Sequence, residues 1–241
     1  MSESSSNRRF SVWVLFKRVV LFLLIGIVLL QAYFWVQIVA FRWIDPHSSA
    51  FMRSQALQLL KIEPPKSVRQ TWVPYEQISV HAKRAVIAAE DTGFMQHHGI
   101  EWEAIERALK VNRQAGEIFQ GGSTITMQLA KNLFLSSDRS YLRKAQEVVI
   151  AWMLELTLSK QRILDLYLNL VEFGEGVFGI EAAAQHYYKR SASQLTSRQA
   201  AWLASILPAP RRYDKQRQSN WINRKTGIVQ KRMNQVQIPD S

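Results

Sequence analysis

The strongest constraint on this chain is a run without charge. Residues 19–41 read VVLFLLIGIVLLQAYFWVQIVAF, interrupted only by Gln31 and Gln37. At about 1.5 Å per residue, a helix of this length spans roughly 34 Å, enough for the hydrocarbon of a bilayer. Arg8, Arg9, Lys17 and Arg18 flank the run on its N-terminal side. Tyr33, Trp35 and Trp43 suit an interfacial belt at the other end. The run is longer than the apolar part of a cleaved signal peptide, and no small-x-small site follows it. It is therefore expected to be an uncleaved transmembrane anchor. The positive-inside rule puts residues 1–18 in the cytoplasm and everything after Phe41 outside.

The rest of the 241 residues suffices for one sizeable domain, and a hydrophobic content of 47% allows a packed core without staples. There is no Cys, which excludes disulfides, thiolate metal sites and Cys nucleophiles. Lys and Arg number 31 against 19 Asp and Glu, a net charge of +12. Such an excess points to nucleic acid, anionic lipid or a phosphorylated substrate. A nucleic-acid binder would face the wrong side of the membrane, so no nucleic-acid partner is expected.

The chain divides into a cytoplasmic basic tail (1–18), the anchor (19–41), a membrane-proximal connector (42–69), a domain (70–215) and a basic C-terminal tail (216–241). The connector carries Pro46, Pro64 and Pro65, with a short helix expected near 49–61. Beyond His81 proline is absent until Pro208, and apolar residues recur at helical spacing. Helices are predicted over 80–89, 101–112, 124–135, 142–158, 159–171 and 180–188. Thr196-Ser-Arg-Gln199 reads as a capping box ahead of one more. No alternating strand pattern appears, so the fold class is all-α.

Four stretches carry chemistry. In AAEDTGFMQHHG, Glu90 and Asp91 end a helix, where negative charge is unfavourable, and a glycine break follows. A Glu beside apolar groups has its charged form desolvated, which suits a general base. Asp91 can accept backbone N–H bonds at the turn, Phe94 can wall the site, and His97 suits structural hydrogen bonding better than a metal. In FQGGSTITMQLAKN, two glycines precede a helix start that Ser123 or Thr124 can cap, an anion-favouring arrangement. Gln128 and Lys131 share a face one turn on. In SSDRSYLRKAQEVV, Arg139, Arg143 and Lys144 precede Glu147, and Arg143 and Glu147 are four apart. Finally, Gly174, Gly176 and Gly179 join two helices. Lys225-Thr226-Gly227 spells the KTG of transpeptidases, but no Ser-x-x-Lys accompanies it, so it reads as a decoy.

Singly these signals are weak. In order they resemble glycosyltransferase family 51, the peptidoglycan transglycosylases. Glu90-Asp-x-x-Phe94-x-x-His97-x-Gly99 is similar to the first motif, and Gly122-Ser-Thr-Ile-Thr126-x-Gln128-x-x-Lys131-Asn132 to the second. Arg143-Lys144-x-x-Glu147 with Ser159-Lys160-x-x-Ile163-Leu164 is similar to the third, and Tyr167-Leu-Asn169 with Gly174, Gly179 and Ala182-Ala183 to the fourth. The match covers roughly residues 75–213, and the short chain with one anchor resembles the monofunctional members. Met127 stands where the family usually has a second Gln, Asp165 where Glu is usual, and Glu101 where Asp is common.

The resemblance implies a lysozyme-like, two-lobed helical domain with one lobe against the membrane. It implies polymerisation of lipid II into β-1,4-linked glycan with inversion and release of undecaprenyl pyrophosphate. Glu90 would be the base and Glu147 a second catalytic carboxylate. Ser123, Thr124, Gln128, Lys131, Asn132, Arg139, Arg143 and Lys144 would hold substrate and pyrophosphate. Asp91, Phe94, His97 and Gly99 would support the site. The family also admits a divalent cation, Mg or Mn, at the pyrophosphate, although no metal-ligand set is read from the residues. The implied partners are lipid II, the growing lipid-linked strand, the membrane, and cell-wall synthesis or division proteins. The localisation is a bacterial inner membrane with the domain outside it. Two other readings stand beside this one: a membrane-anchored lytic enzyme of the same fold, which has no use for phosphate-binding cations, and a non-catalytic assembly scaffold.

Overall fold

In a computed structural model of the protein, residues 3–115, 122–135 and 140–239 are described, by backbone alone for 3–12, 108–109 and 112–115. The helices in chain order are α1 (Glu3–Ala40), α2 (Ala50–Leu59), α3 (Val80–Glu90), α4 (Trp102–Ala115), α5 (Ile125–Phe134) and α6 (Tyr141–Thr157). They continue with α7 (Lys160–Leu170), α8 (Ile180–Tyr188), α9 (Ser197–Ile206), α10 (Pro210–Lys215) and α11 (Asn220–Arg232). Side-chain caps set most of the starts. The hydroxyl oxygens of Ser49, Thr124, Ser140, Ser159, Thr196 and Ser219 each accept a backbone N–H of the first turn. The capping box expected at Thr196 and Gln199 is complete, with both reciprocal bonds formed.

α1 carries the apolar run, and its Trp13–Ala40 portion is long and apolar enough to cross a membrane. Residues 15–30 are exposed on every side. From Gln31 onward one face meets the body: Ile38 is fully buried, and the rings of Phe34 and Phe41 lie 5.2 and 6.1 Å from that of Phe134. Arg162 clips the end of α1. Its guanidinium donates to the Phe41 and Ile44 carbonyls at 2.7 and 3.1 Å and pairs with Asp45 at 2.7 Å and Asp165 at 2.6 Å.

Two groups of helices form the body. α9 packs against both α3 and α11 on one side, while α5 packs against α2, α6 and α7 on the other. A small sheet joins them, with strand order β1-β3-β2: β1 (Arg69–Gln70) runs parallel to β3 (Val177–Phe178), and β2 (Glu172–Gly174) antiparallel to it. Strands of two or three residues leave no alternation to detect, so the sequence gives no sign of them. Fully buried Asn169 ties α7 to the chain entering α3: its Oδ1 accepts Val73 N–H at 2.9 Å, and its Nδ2 donates to Val73 O at 3.1 Å.

Two segments outside residues 70–215 pack against the body. In 42–69, α2 buries Met52 and Leu59 and β1 starts at Arg69. The second is 216–239. α11 buries Ile222, Thr226 and Val229, and Tyr75 Oη donates to Pro239 O at 3.0 Å. The apolar stripe of α11 is narrow and interleaved with Lys and Arg, and this composition hides it as surface.

Candidate active site

Glu90 is the last residue of α3, and Asp91 leaves the helix with an extended φ of −163°. The two neighbouring carboxylates consequently point into different environments. Asp91 is buried: Oδ2 accepts Ile125 N–H at 2.9 Å, and Oδ1 lies 2.8 Å from His97 Nε2. Gly99 N–H donates to His97 Nδ1 at 3.1 Å, so the ring hydrogen sits on Nε2 and is given to Asp91. The Thr124 hydroxyl donates to Gly99 O at 2.6 Å. Gly99 has a φ of +86°, and a Cβ there would lie 2.9 Å from Glu155 Cγ, so only glycine fits. Phe94 N–H donates to Asp91 O at 3.0 Å, and the buried Phe94 ring lies under Lys160 Nζ at 4.6 Å. Lys160 also donates to His97 O at 2.7 Å and Glu155 at 2.8 Å. Asp91, Phe94, His97 and Gly99 thus form one hydrogen-bonded frame that holds the end of α3 to the start of α5.

Glu90 faces a cleft of about 470 Å³ whose walls include Ser123, Gln128, Pro208, Trp221 and Lys225. Gln128 Nε2 donates to Glu90 Oε2 at 2.8 Å, while buried Oε1 has no partner among the described residues. The Tyr167 hydroxyl donates to Gln128 Oε1 at 2.9 Å. This bond leaves the amide one orientation, with its N–H₂ toward Glu90. Burial raises the pKa of Glu90 above the usual carboxylate range. Lys225, the Gln128 bond and Lys131 oppose the rise, and the Asp91 charge adds to it. Burial likewise lowers the pKa of Lys225, and the Glu90 charge resists that.

A second cluster lies around α6. Glu147 is buried, with Arg143 Nη1 at 2.7 Å from one oxygen and Lys144 Nζ at 2.5 Å from the other. Lys144 also donates to Ser123 Oγ at 2.9 Å, carrying the cluster to the cleft wall. Lys131, one turn beyond Gln128, has no hydrogen-bond or ion-pair partner among the described residues. Burial depresses its pKa, Glu147 raises it, and Arg143 and Lys144 lower it further. Glu147 is therefore not disposed as a second free base, since two cations already claim both its oxygens. Its charge allows three cations to gather beside a fourth group, Ser123, without mutual repulsion dominating.

The expected residues divide by role in this geometry. Glu90, Gln128 and Ser123 line the cleft. Thr124 uses its hydroxyl internally, accepting Met127 N–H and donating to Gly99 O. Asn132 and Met127 are buried in the body of α5. Arg139 lies outside the described residues. Asp91, His97 and Glu101 present ligand atoms within 4.8 Å of one another. Each is already committed, however: Asp91 to Ile125 N–H, His97 to Asp91 and Gly99, and Glu101 to Arg107 at 2.6 Å. The Glu147 cluster offers ammonium and guanidinium groups around one neutralised carboxylate, which does not fit a divalent cation. Sequence reasoning missed Trp221, Lys225 and Arg232, which α11 brings to the cleft. The only signal was Lys225 itself, within the KTG dismissed as a decoy.

The Transglycosylase family model matches residues 56–234. The chain belongs to the transglycosylase family. A biosynthetic peptidoglycan transglycosylase of Herminiimonas arsenicoxydans is 51% identical over 213 residues, covering 88% of this chain and 92% of the relative. One of Methylobacillus flagellatus is 48% identical over 227 residues, covering 93% and 98%. One of Bordetella avium is 52% identical over 199 residues, covering 81% and 83%. The helical, two-lobed fold is that of a transglycosylase domain, and the family match takes in both α11 and part of α2.

Proposed function

We propose that this transglycosylase builds peptidoglycan by polymerising lipid II, with Glu90 as general base. The carrying observation is the desolvated Glu90 Oε1, without a partner among the described residues, in a cleft that Lys225 and Arg232 also line and whose Ser123 wall accepts a bond from Lys144. The 4-hydroxyl of the acceptor GlcNAc gives its proton to Glu90, and its oxygen attacks C1 of the donor MurNAc from the face opposite the leaving group. The C1–O bond to phosphate breaks, configuration inverts, and undecaprenyl pyrophosphate departs with the electron pair. Lys131, Arg143 and Lys144, with Arg139, stabilise the charge that develops there. A glycosidase needs a protonated acid for its sugar leaving group. Pyrophosphate leaves without one, which accords with a single uncommitted carboxylate at the cleft. The names carried by the relatives support this reading over cleavage of preformed glycan.

α1 is the anchor in this scheme, in the bacterial inner membrane with its N-terminus cytoplasmic and the catalytic body outside. The positive-inside pattern of Lys17 and Arg18 supports that orientation. It keeps the enzyme where a lipid-linked substrate resides. The test is polymerisation of lipid II by the purified full chain and its Glu90→Gln variant. Loss of about 10²-fold or more in rate is expected for a general base. A variant that polymerises at the wild-type rate would remove Glu90 from that role.

A further inference from the structure

Gln31 is one of two amides in the apolar run, and it sits where α1 stops being bare. Gln31, Phe34, Ile38 and Phe41 fall on one helical face, the face turned to the body. Gln31 Nε2 donates to Gln146 Oε1, and Gln146 Nε2 donates to Gln31 Oε1, both at 3.0 Å. A doubly bonded amide pair tolerates little rotation or sliding, because a shift of one residue along either helix breaks both bonds. Gln31 lies about 15 Å before Phe41 along the helix axis, at the edge of the bare, lipid-facing part of the run. An amide without a partner is costly there, so the pairing is strongly specified. Gln146 immediately precedes Glu147, whose oxygens gather Arg143 and Lys144. The same helix leaves Leu142, Val149, Trp152 and Leu156 exposed, a lipid-compatible flank.

We infer that the Gln31–Gln146 pair is a register lock between the anchor and α6. It sets the height of the Arg143–Lys144–Glu147 cluster over the bilayer, at the level where a membrane lipid presents its pyrophosphate. Both glutamines are positioning residues, acting through the helix that carries Glu147. The functional half of the inference rests on the reaction proposed above. The contact itself does not.

The test has two arms. In the first, cysteines replace Gln31 and Gln146 in the full chain, in native membranes. The protein has no other Cys, so a short bis-maleimide reports this pair alone. Cross-linking is expected for Gln31→Cys with Gln146→Cys and not for Leu29→Cys with Gln146→Cys, since Leu29 lies on the opposite face and is exposed. In the second arm, Gln31→Leu and Gln146→Leu are assayed with lipid II in liposomes and with a short-chain analogue in detergent. Each single variant is expected to lose about three- to ten-fold in kcat/KM in liposomes, as befits one interhelical amide pair in lipid. Neither should change the detergent rate. The double variant should be no worse than either single one, because no orphaned amide remains.

Equal losses in both assays, full liposome activity of the singles, or a double variant that compounds their losses would overturn the lock. Cross-linking is read without turnover. Selective cross-linking in a chain that makes no polymer would therefore overturn the reaction and keep the contact. Polymer synthesis without selective cross-linking would overturn the contact.

Discussion

Exchanging each of the adjacent carboxylates Glu90 and Asp91 for its amide should have opposite consequences. In Asp91→Asn, the new Oδ1 can accept either Ile125 N–H or His97 Nε2–H, and the N–H₂ must face the other donor. Moving the His97 hydrogen to Nδ1 only transfers the conflict, because Gly99 N–H already points there. Every arrangement leaves one buried donor facing a donor, at a cost of about 1–3 kcal/mol. In a body of this size each kcal/mol moves the melting temperature by about 2–4 °C. A fall of roughly 2–12 °C is therefore expected by thermal melting of the detergent-solubilised protein. Glu90→Gln removes a carboxylate whose Oε1 is buried and unbonded, and whose folded-state pKa is raised. For such an acid the folded state binds more protons than the unfolded one, so stability falls as pH rises from the unfolded pKa to the folded one. Above the folded-state pKa that cost is fully present, and the amide relieves it. Glu90→Gln should thus melt no lower than wild type at neutral pH while losing turnover. An Asp91→Asn protein that melts with wild type, or a Glu90→Gln protein that melts well below it, would refute the division of the pair into support and base.

Lys225→Met removes a positive charge that holds down the pKa of Glu90, so the acidic limb of the kcat/KM–pH profile should move to higher pH. An unmoved limb would show that Lys225 does not influence the base. Tyr167→Phe frees the Gln128 amide to turn and should cost about 1 kcal/mol of stability, with a several-fold lower rate partly rescued at higher pH. Glu147→Gln leaves Arg143 and Lys144 without their shared counter-charge, and a lowered melting temperature with a rate loss on the order of 10²-fold is expected from melting and polymerisation assays. Lys131→Ala should weaken inorganic pyrophosphate binding about ten-fold, measured by calorimetry on the full chain.

Legibility in the sequence followed the range of the interactions. The apolar run, the Ser and Thr caps, and the helices from 80 to 206 were readable because each depends on residues within a few positions of one another. Glu90, Gln128 and Lys131 were readable as candidates because residue type and order, at the end of α3 and along one face of α5, expose them. α11 was not readable, because a narrow stripe of Ile222, Thr226 and Val229 among basic residues looks like solvated surface until α9 covers it.

By itself, then, the sequence determined a helical transglycosylase with an N-terminal apolar run and singled out Glu90 as its candidate base. Only the tertiary structure decided what that carboxylate meets. Lys225 and Trp221 line its cleft from a distant part of the chain, and Tyr167 orients Gln128 toward it. Tertiary structure also separated Glu147, clamped by two cations, from Glu90, left with a bare oxygen, and joined Gln31 to Gln146. Periodicity reports which face of one element is apolar. Desolvation, charge pairing and hydrogen-bond completion depend on which other elements cover that face, and these interactions set the chemistry of a carboxylate.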